Sequence, residues 1–358
     1  VRVTENLLMQ APAVNFNVKQ GFAPVQVTRV GDSCYLSGLV KHDRSRSQRT
    51  LAILPPLCRP PRTQMITVLA GPSRARLDLQ PSGTVILNRW MSSEGAANAE
   101  FVSLSGVRFP SPAAIQKSLP LMSGWVPYGG EYSGPFFTRS GDYCVFGGLV
   151  RLTVARPSRT ILRAPRECIP RDGRLIFIGN QHELAYRVDV LADGHFELVD
   201  YDGFRRNHGY IDLSNIAYMV GNGGSAISLS TRQAAFGHGY RAPSWRLHGS
   251  VCVLTGLVAH STANADRLIG TLPVGCRPDS VEVFPVFRHG ETERIDISPD
   301  GEITWRPEPR GFSHTWIPLD GISFLVSTRR AVTKPAPSKV LQKYMPPVFA
   351  RIGDLCMM

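Results

Sequence analysis

The chain has 358 residues, of which 43% are hydrophobic and 19% charged, with a formal net charge of +12. Such a length exceeds one small core, the balance is that of a globular protein, and no apolar run approaches the roughly 18 residues a membrane-spanning helix needs. The charge is uneven: residues 20–110 carry +6 and residues 329–358 carry +5, whereas residues 131–220 are neutral and residues 240–328 carry −2.

In chain order, residues 1–20 read as an N-terminal arm, where the alternation of Val14, Phe16 and Val18 predicts a short strand that needs a surface to pair with. Residues 21–110 read as a first unit, with strands predicted at 25–27, 34–40, 65–68, 75–79, 84–87 and 101–109. Residues 111–130 are then a linker, 131–220 a second unit, 221–239 a second linker, 240–328 a third unit, and 329–358 a basic tail.

This division rests on an internal repeat. The stretch Cys34-Tyr35-Leu36-Ser37-Gly38-Leu39-Val40 returns as Cys144-Val145-Phe146-Gly147-Gly148-Leu149-Val150 and as Cys252-Val253-Leu254-Thr255-Gly256-Leu257-Val258. A second cysteine follows 24 residues later in each copy, flanked by prolines, at Cys58, Cys168 and Cys276. Turns at Ser82-Gly83, Asp193-Gly194 and Asp300-Gly301 come next. Closing strands begin at Leu104, Leu213 and Leu319. Landmarks in constant order at a long period mark an internal triplication. Short strands, abundant glycine and proline, and the lack of a 3.6-residue period predict an all-β fold of three tandem antiparallel β-sandwiches, jelly-roll-like, packed as a pseudo-threefold cluster.

The six repeated cysteines have two readings. If each unit folds alone, Cys34 pairs with Cys58, Cys144 with Cys168 and Cys252 with Cys276, closing loops that stabilise each unit by roughly 3 kcal/mol. The other reading is that they are small buried apolar residues without bonds. Zinc is disfavoured, because two cysteines without a repeated histidine do not complete a four-ligand site. Disulfides at this density point to an extracellular, virion-surface or oxidising lumenal location. Cys356 is left over.

Chemistry is harder to find. The nine histidines fall at no repeated position, and the chain has no Gly-x-Ser-x-Gly elbow, phosphate-cradling glycine loop or His-Glu-x-x-His motif. No catalytic residue, metal site or cofactor is therefore predicted. Asp78, Asp189 and Asp296 recur before the glycine turns, where strand alternation predicts solvent-facing, turn-stabilising carboxylates. Trp125 and Trp305 are candidate sugar-stacking faces, although aromatic residues in sandwiches more often plug core ends. Arg329, Arg330, Lys334, Lys339 and Lys343 in the tail are candidates for contact with an acidic protein partner.

The third unit carries a further likeness. Gly256-Leu257-Val258, residues 269–278 with their Leu-Pro and Arg-Pro pairs, Gly301 and residues 319–324 follow an order that resembles a β-rich module of bacteriophage tail-fibre and minor structural proteins. The likeness is weaker in the second unit, where Cys168-Ile169-Pro170 replaces the Arg-Pro pair. It implies assembly and attachment, often as a trimer, rather than turnover. The expected function is a non-enzymatic structural or adhesion scaffold in a surface, virion or lumenal assembly, with a lectin-like glycan-binding protein and an accessory subunit of a larger complex as alternatives.

Overall fold

A computed structural model describes residues 2–41, 49–71, 73–90, 101–153, 158–181, 184–199, 209–221, 223–260, 267–288, 291–306 and 315–327, with the backbone of 350–352 and 355–357. The fold is all-β and sandwich-like, built from antiparallel sheets. One four-stranded sheet runs Arg2–Asn6, Gln26–Val30, Ser33–Ser37, Arg108–Pro110. The same kind of order appears in Lys117–Ser118, Phe136–Ser140, Tyr143–Gly147, Ala217–Met219, and in Ser225–Ala226, Ser244–His248, Val251–Thr255, Ser323–Leu325. The cysteine strand is interior each time. Cys34 lies opposite Arg29 and Phe109, Cys144 opposite Arg139 and Tyr218, and Cys252 opposite Leu247 and Phe324.

The facing layer of the first segment is an eight-stranded sheet in the order Leu8–Met9, Thr50–Ile53, Thr84–Trp90, Ser73–Leu79, Gln64–Ala70, Val102–Ser103, Leu39–Lys41, Val14–Asn15. Its counterparts are split into sheets of four and three strands in the second segment and five and three in the third. Between the layers lie three separate cores. Cys34, Leu36, Leu77 and Phe109 belong to the first, Cys144, Phe146, Phe196 and Tyr218 to the second, and Cys252, Leu254, Phe284 and Phe324 to the third.

The arm and linkers are woven into these sheets. Arg2–Asn6, Lys117–Ser118 and Ser225–Ala226 edge the cysteine-strand sheets, while Val14–Asn15, Trp125–Pro127 and Gln233–Ala235 pair with the strands that follow Gly38, Gly148 and Gly256. The surface that Val14–Asn15 requires is thus supplied by Leu39–Lys41 of the same chain.

Two repeated glycines have a steric cause. Gly38, Gly148 and Gly256 hold φ of 97, 99 and 103°, and a Cβ there would stand 2.3, 2.1 and 2.4 Å from the carbonyl oxygens of Pro24, Gly134 and Ala242. Only glycine lets these backbones cross so closely in a left-handed conformation. Their carbonyls accept from Leu104, Leu213 and Leu319 at 2.9, 3.0 and 2.9 Å, which ties the cysteine strand to the closing strand. The turn glycines Gly83 and Gly301 lie under Arg59 and Arg277, whose Nε donate to Leu54 O at 3.2 Å and Leu272 O at 2.9 Å. In the second segment Ile169 takes that place, against Gly194.

Candidate interaction site at the segment junctions

All three predicted cysteine pairs are disulfides, Cys34–Cys58, Cys144–Cys168 and Cys252–Cys276, with Cα separations of 5.9, 6.0 and 5.4 Å. All six residues are fully buried. They pin the interior strand of one layer to a 3-10 turn, Pro56–Cys58, Arg166–Cys168 or Val274–Cys276.

A second recurring feature lies between segments. Thr63 bridges to Tyr132, Arg174 to Tyr240 and Val281 to Phe22, all in parallel sense. Each bridge has two hydrogen bonds. Thr63 N donates to Glu131 O at 3.1 Å and Ser133 N to Thr63 O at 3.0 Å; Arg174 N donates to Gly239 O at 2.9 Å and Arg241 N to Arg174 O at 3.1 Å; Val281 N donates to Gly21 O at 2.8 Å and Ala23 N to Val281 O at 3.1 Å. The third bridge joins the third segment back to the first.

The aromatic residue at each bridge is gripped from the other side. Arg76, Arg187 and Arg294 lie over the rings of Tyr132, Tyr240 and Phe22 at 5.4, 5.6 and 5.9 Å. Each of these arginines also makes a two-pronged pair with the aspartate two residues on: Arg76 to Asp78 at 2.8 and 2.8 Å, Arg187 to Asp189 at 2.6 and 2.8 Å, Arg294 to Asp296 at 2.6 and 2.8 Å. A strand period of two puts both side chains on one face, and the forked guanidinium matches the carboxylate. Asp78, Asp189 and Asp296 are therefore not the solvent-facing turn residues that alternation suggested. They are 4%, 0% and 6% exposed, because the face they share with the arginines is covered by the neighbouring segment. Burial raises the Asp189 carboxyl above its ordinary range, against the opposing pull of Arg187. Burial likewise pushes the Tyr132 hydroxyl up to about 12.

Apolar contacts at the junctions correspond too. Met65 meets Leu149, Tyr210 and Tyr132; Ile176 meets Leu257, Trp316 and Tyr240; Val283 meets Leu39, Phe101 and Phe22. On the outer face of the cysteine strands, Tyr35, Tyr143, Val145, Val251 and Val253 form one cluster drawn from all three segments. The guanidinium of Arg108 donates to Gly321 O at 3.0 Å and to Asn215 O at 2.6 Å, joining three segments through one side chain.

Two further buried carboxylates that cross these junctions have their acidities shifted by burial. Glu282 accepts from Ser105 Oγ of the first segment, and burial raises its carboxyl to about 7. Asp320 accepts from Ile176 N at 2.9 Å across one junction and from Gly256 N at 2.8 Å, and burial raises it to about 6. A cavity of about 30 Å³, lined by Thr67, Arg108, Phe177, Asn215, Phe284 and Asp320 among others, lies where the segments meet.

The other residues singled out from sequence lie elsewhere. Trp125 is 4% exposed, packs in the second core and donates to Ser158 O at 2.9 Å, so its ring offers no open face to a sugar. Trp305 is half-buried, with Nε1 donating to Glu293 Oε2 at 3.1 Å, Arg288 over its ring at 4.2 Å and His260 edge-on at 4.8 Å. Arg329, Arg330, Lys334, Lys339 and Lys343 lie outside the described residues. Among the described residues no cluster of three or more histidine, cysteine or acidic side chains is placed to hold a metal ion, and no helix is long and apolar enough to cross a membrane. Sequence reasoning passed over Arg76, Arg187 and Arg294. Their signal was present as Arg-x-Asp at one constant offset before the turn glycine, in Arg76 with Gly83, Arg187 with Gly194 and Arg294 with Gly301.

No protein-family model, curated protein or solved structure matches the chain.

Proposed function

We propose that the chain is three tandem, jelly-roll-like sandwiches, each stapled by one disulfide, closed into a pseudo-threefold ring that serves as a non-enzymatic structural or adhesion scaffold of a surface, virion or lumenal assembly. One observation carries this reading: the same parallel bridge and the same Arg-x-Asp grip on an aromatic side chain recur at every junction, including the one that returns to the start of the chain. Three similar surfaces that each meet the next form a closed cycle, the geometry of a trimer written in one polypeptide. Covalent linkage raises the effective concentration of each partner to around the millimolar range, which favours closure. The likeness to the bacteriophage module, itself often trimeric, points the same way. Buried disulfides accord with an oxidising setting.

Attachment to the larger assembly is assigned to the basic parts. The +6 of residues 20–110 and the +5 of residues 329–358 repel each other and are both relieved by an acidic protein surface. Purification of the native assembly with the full chain, and with a chain ended at Ser327, tests this. The full chain is expected to co-purify at low salt and to dissociate as the Debye length falls below roughly 10 Å, while the shortened chain folds but does not co-purify. Co-purification of both forms, at low and high salt alike, refutes the attachment role of the tail.

A further inference from the structure

The second repeat departs from the other two at the turn after its strand Thr160–Arg163. Where the first repeat has Pro56-Leu57 before its second cysteine and the third has Val274-Gly275, the second has Arg166-Glu167. It then gains one residue before its next strand, in the sequence Pro170-Arg171-Asp172-Gly173. Arg171 adopts a left-handed backbone with φ of 63°, one of three non-glycine residues with positive φ among the described residues. L-residues other than glycine, asparagine and aspartate seldom stay in that region unless the surroundings fix them.

The surroundings do fix it. Arg241 of the third repeat, 5% exposed, donates to Pro170 O at 3.2 Å, to Met219 O at 3.0 Å and to the Asp172 carboxylate. Gly173, at φ 129°, has no room for a Cβ against the Arg241 backbone, which would stand 2.7 Å away. Arg171 N donates to Ala192 O at 3.2 Å. The added turn is thus buttressed from below while the Arg171 side chain is exposed to solvent.

Beside it is an open groove of about 350 Å³ between the second and third repeats, lined by Arg139, Asp142, Arg166, Glu167, Arg171 and Arg246 among others. Arg246 is held in place: one terminal nitrogen donates to Asp142 at 2.6 Å, the other to Val220 O at 2.9 Å, and Gly223 lies close enough that a Cβ there would approach Cζ to 3.0 Å. Arg139 reaches Asp142 at 3.8 Å, and Glu167 reaches Lys117 at 3.8 Å. Among the described residues, the guanidinium groups of Arg166 and Arg171 are in no ion pair or hydrogen bond. One fixed and two free guanidinium groups around a groove of this size match the several oxygen atoms of a single oxyanion. The carboxylates of Asp142 and Glu167 on the rim oppose a long run of negative charge, which favours one compact group over a polyanionic chain.

We propose that this groove binds a sulfate or phosphate ester group, a compact tetrahedral oxyanion, on Arg166, Arg171 and Arg246. The site is built on the turn peculiar to the second repeat, with Arg246 contributed by the third, and does not depend on the scaffold role.

The test titrates the full-length protein with phenyl sulfate and with phenyl phosphate, ionic strength being held constant with sodium chloride, and follows calorimetric heat and the arginine Nε–H resonances. Saturable binding of at least one probe is expected, and the tighter probe assigns the ester. Arg166→Ala combined with Arg171→Ala should weaken it by about tenfold or more, as the loss of charge-assisted hydrogen bonds implies. Arg171→Gly, which suits the left-handed backbone, should weaken binding by about threefold or more without disturbing the fold. Arg151→Ala, an exposed arginine of the same repeat outside the groove, should change affinity by less than about twofold. The proposal is overturned if the wild type shows no saturable binding of either probe, if the arginine variants bind as tightly as the wild type, or if Arg151→Ala weakens binding equally.

Discussion

The interior of each segment and the junctions between segments are held together by different means. Inside, the side chains are apolar and the fixed point is a covalent bond, as in the second core, where Cys144–Cys168 lies among Phe146, Ile161, Phe196 and Leu213. At the junctions the apolar patches are small, and charged or polar groups set the geometry: Arg187 with Asp189 on Tyr240, Arg108 on two foreign carbonyls, Glu282 under Ser105. Apolar burial supplies free energy without direction, whereas a forked ion pair or a two-bond bridge fixes register. The contrast teaches that segments whose cores are all apolar need directional junctions, so that each surface meets the right neighbour.

The largest predicted effect breaks a junction. Asp189→Ala leaves Arg187 buried without its carboxylate and should lower the unfolding free energy by about 3–5 kcal/mol, read from the urea midpoint; a loss below about 1 kcal/mol would mean that the pair is solvated and the junction loose. Next comes the interior. Replacing Cys144 and Cys168 together by alanine removes a loop constraint of 24 residues, a loss of about 3.5 kcal/mol in the chain-entropy model. Because that constraint belongs to one core, the Arg-x-Asp grips should survive, and hydrogen exchange at Thr63, Arg174 and Val281 should stay slow while the second core opens more often.

A pH titration sharpens the comparison, since the carboxylates raised furthest sit at the junctions. Glu282 is raised to about 7 by burial. The folded protein therefore keeps its proton after the unfolded chain has lost it. Its contribution is fully present below about pH 4.5, falls as pH rises towards 7 and is absent above. The loss is about 3–4 kcal/mol at most, and Glu282→Gln should flatten that part of the stability profile. An unchanged profile in the variant would place the titration elsewhere. Asp320, raised to about 6, predicts the same sign over a lower window.

The smallest effect concerns the turn arginines. Arg59→Ile copies what the second segment already has at Ile169 and should cost about 1 kcal/mol or less, since one hydrogen bond to Leu54 O is exchanged for apolar contact over the glycine turn.

What the sequence revealed follows the same division. Cysteine offset, glycine turns and strand alternation are local signals, and they yielded the all-β fold and the three disulfides. The junctions were harder, because Phe22 meets Val281 and Arg108 meets Gly321 across most of the chain, and no local period encodes such a meeting. Alternation separated Asp78, Asp189 and Asp296 from the cores, but it cannot tell whether the opposite face meets water or another segment. Lys117–Ser118 and Ser225–Ala226 have two residues each, too few to display a strand period, so they read as linkers. The arginine groove between the second and third segments was visible only as a departure, Ile169 in place of arginine; its shape depends on Arg241 and Arg246 from the third segment.

Small-angle scattering from the full chain tests ring closure most directly. A ring with all three junctions made should give a single-peaked distance distribution and a radius of gyration of roughly 21 Å, the value expected for one compact body of this length. A distribution with a second maximum at an inter-repeat spacing, and a radius well above that value, would mean that the repeats hang in a row and that the junction between Phe22 and Val281 does not form in solution.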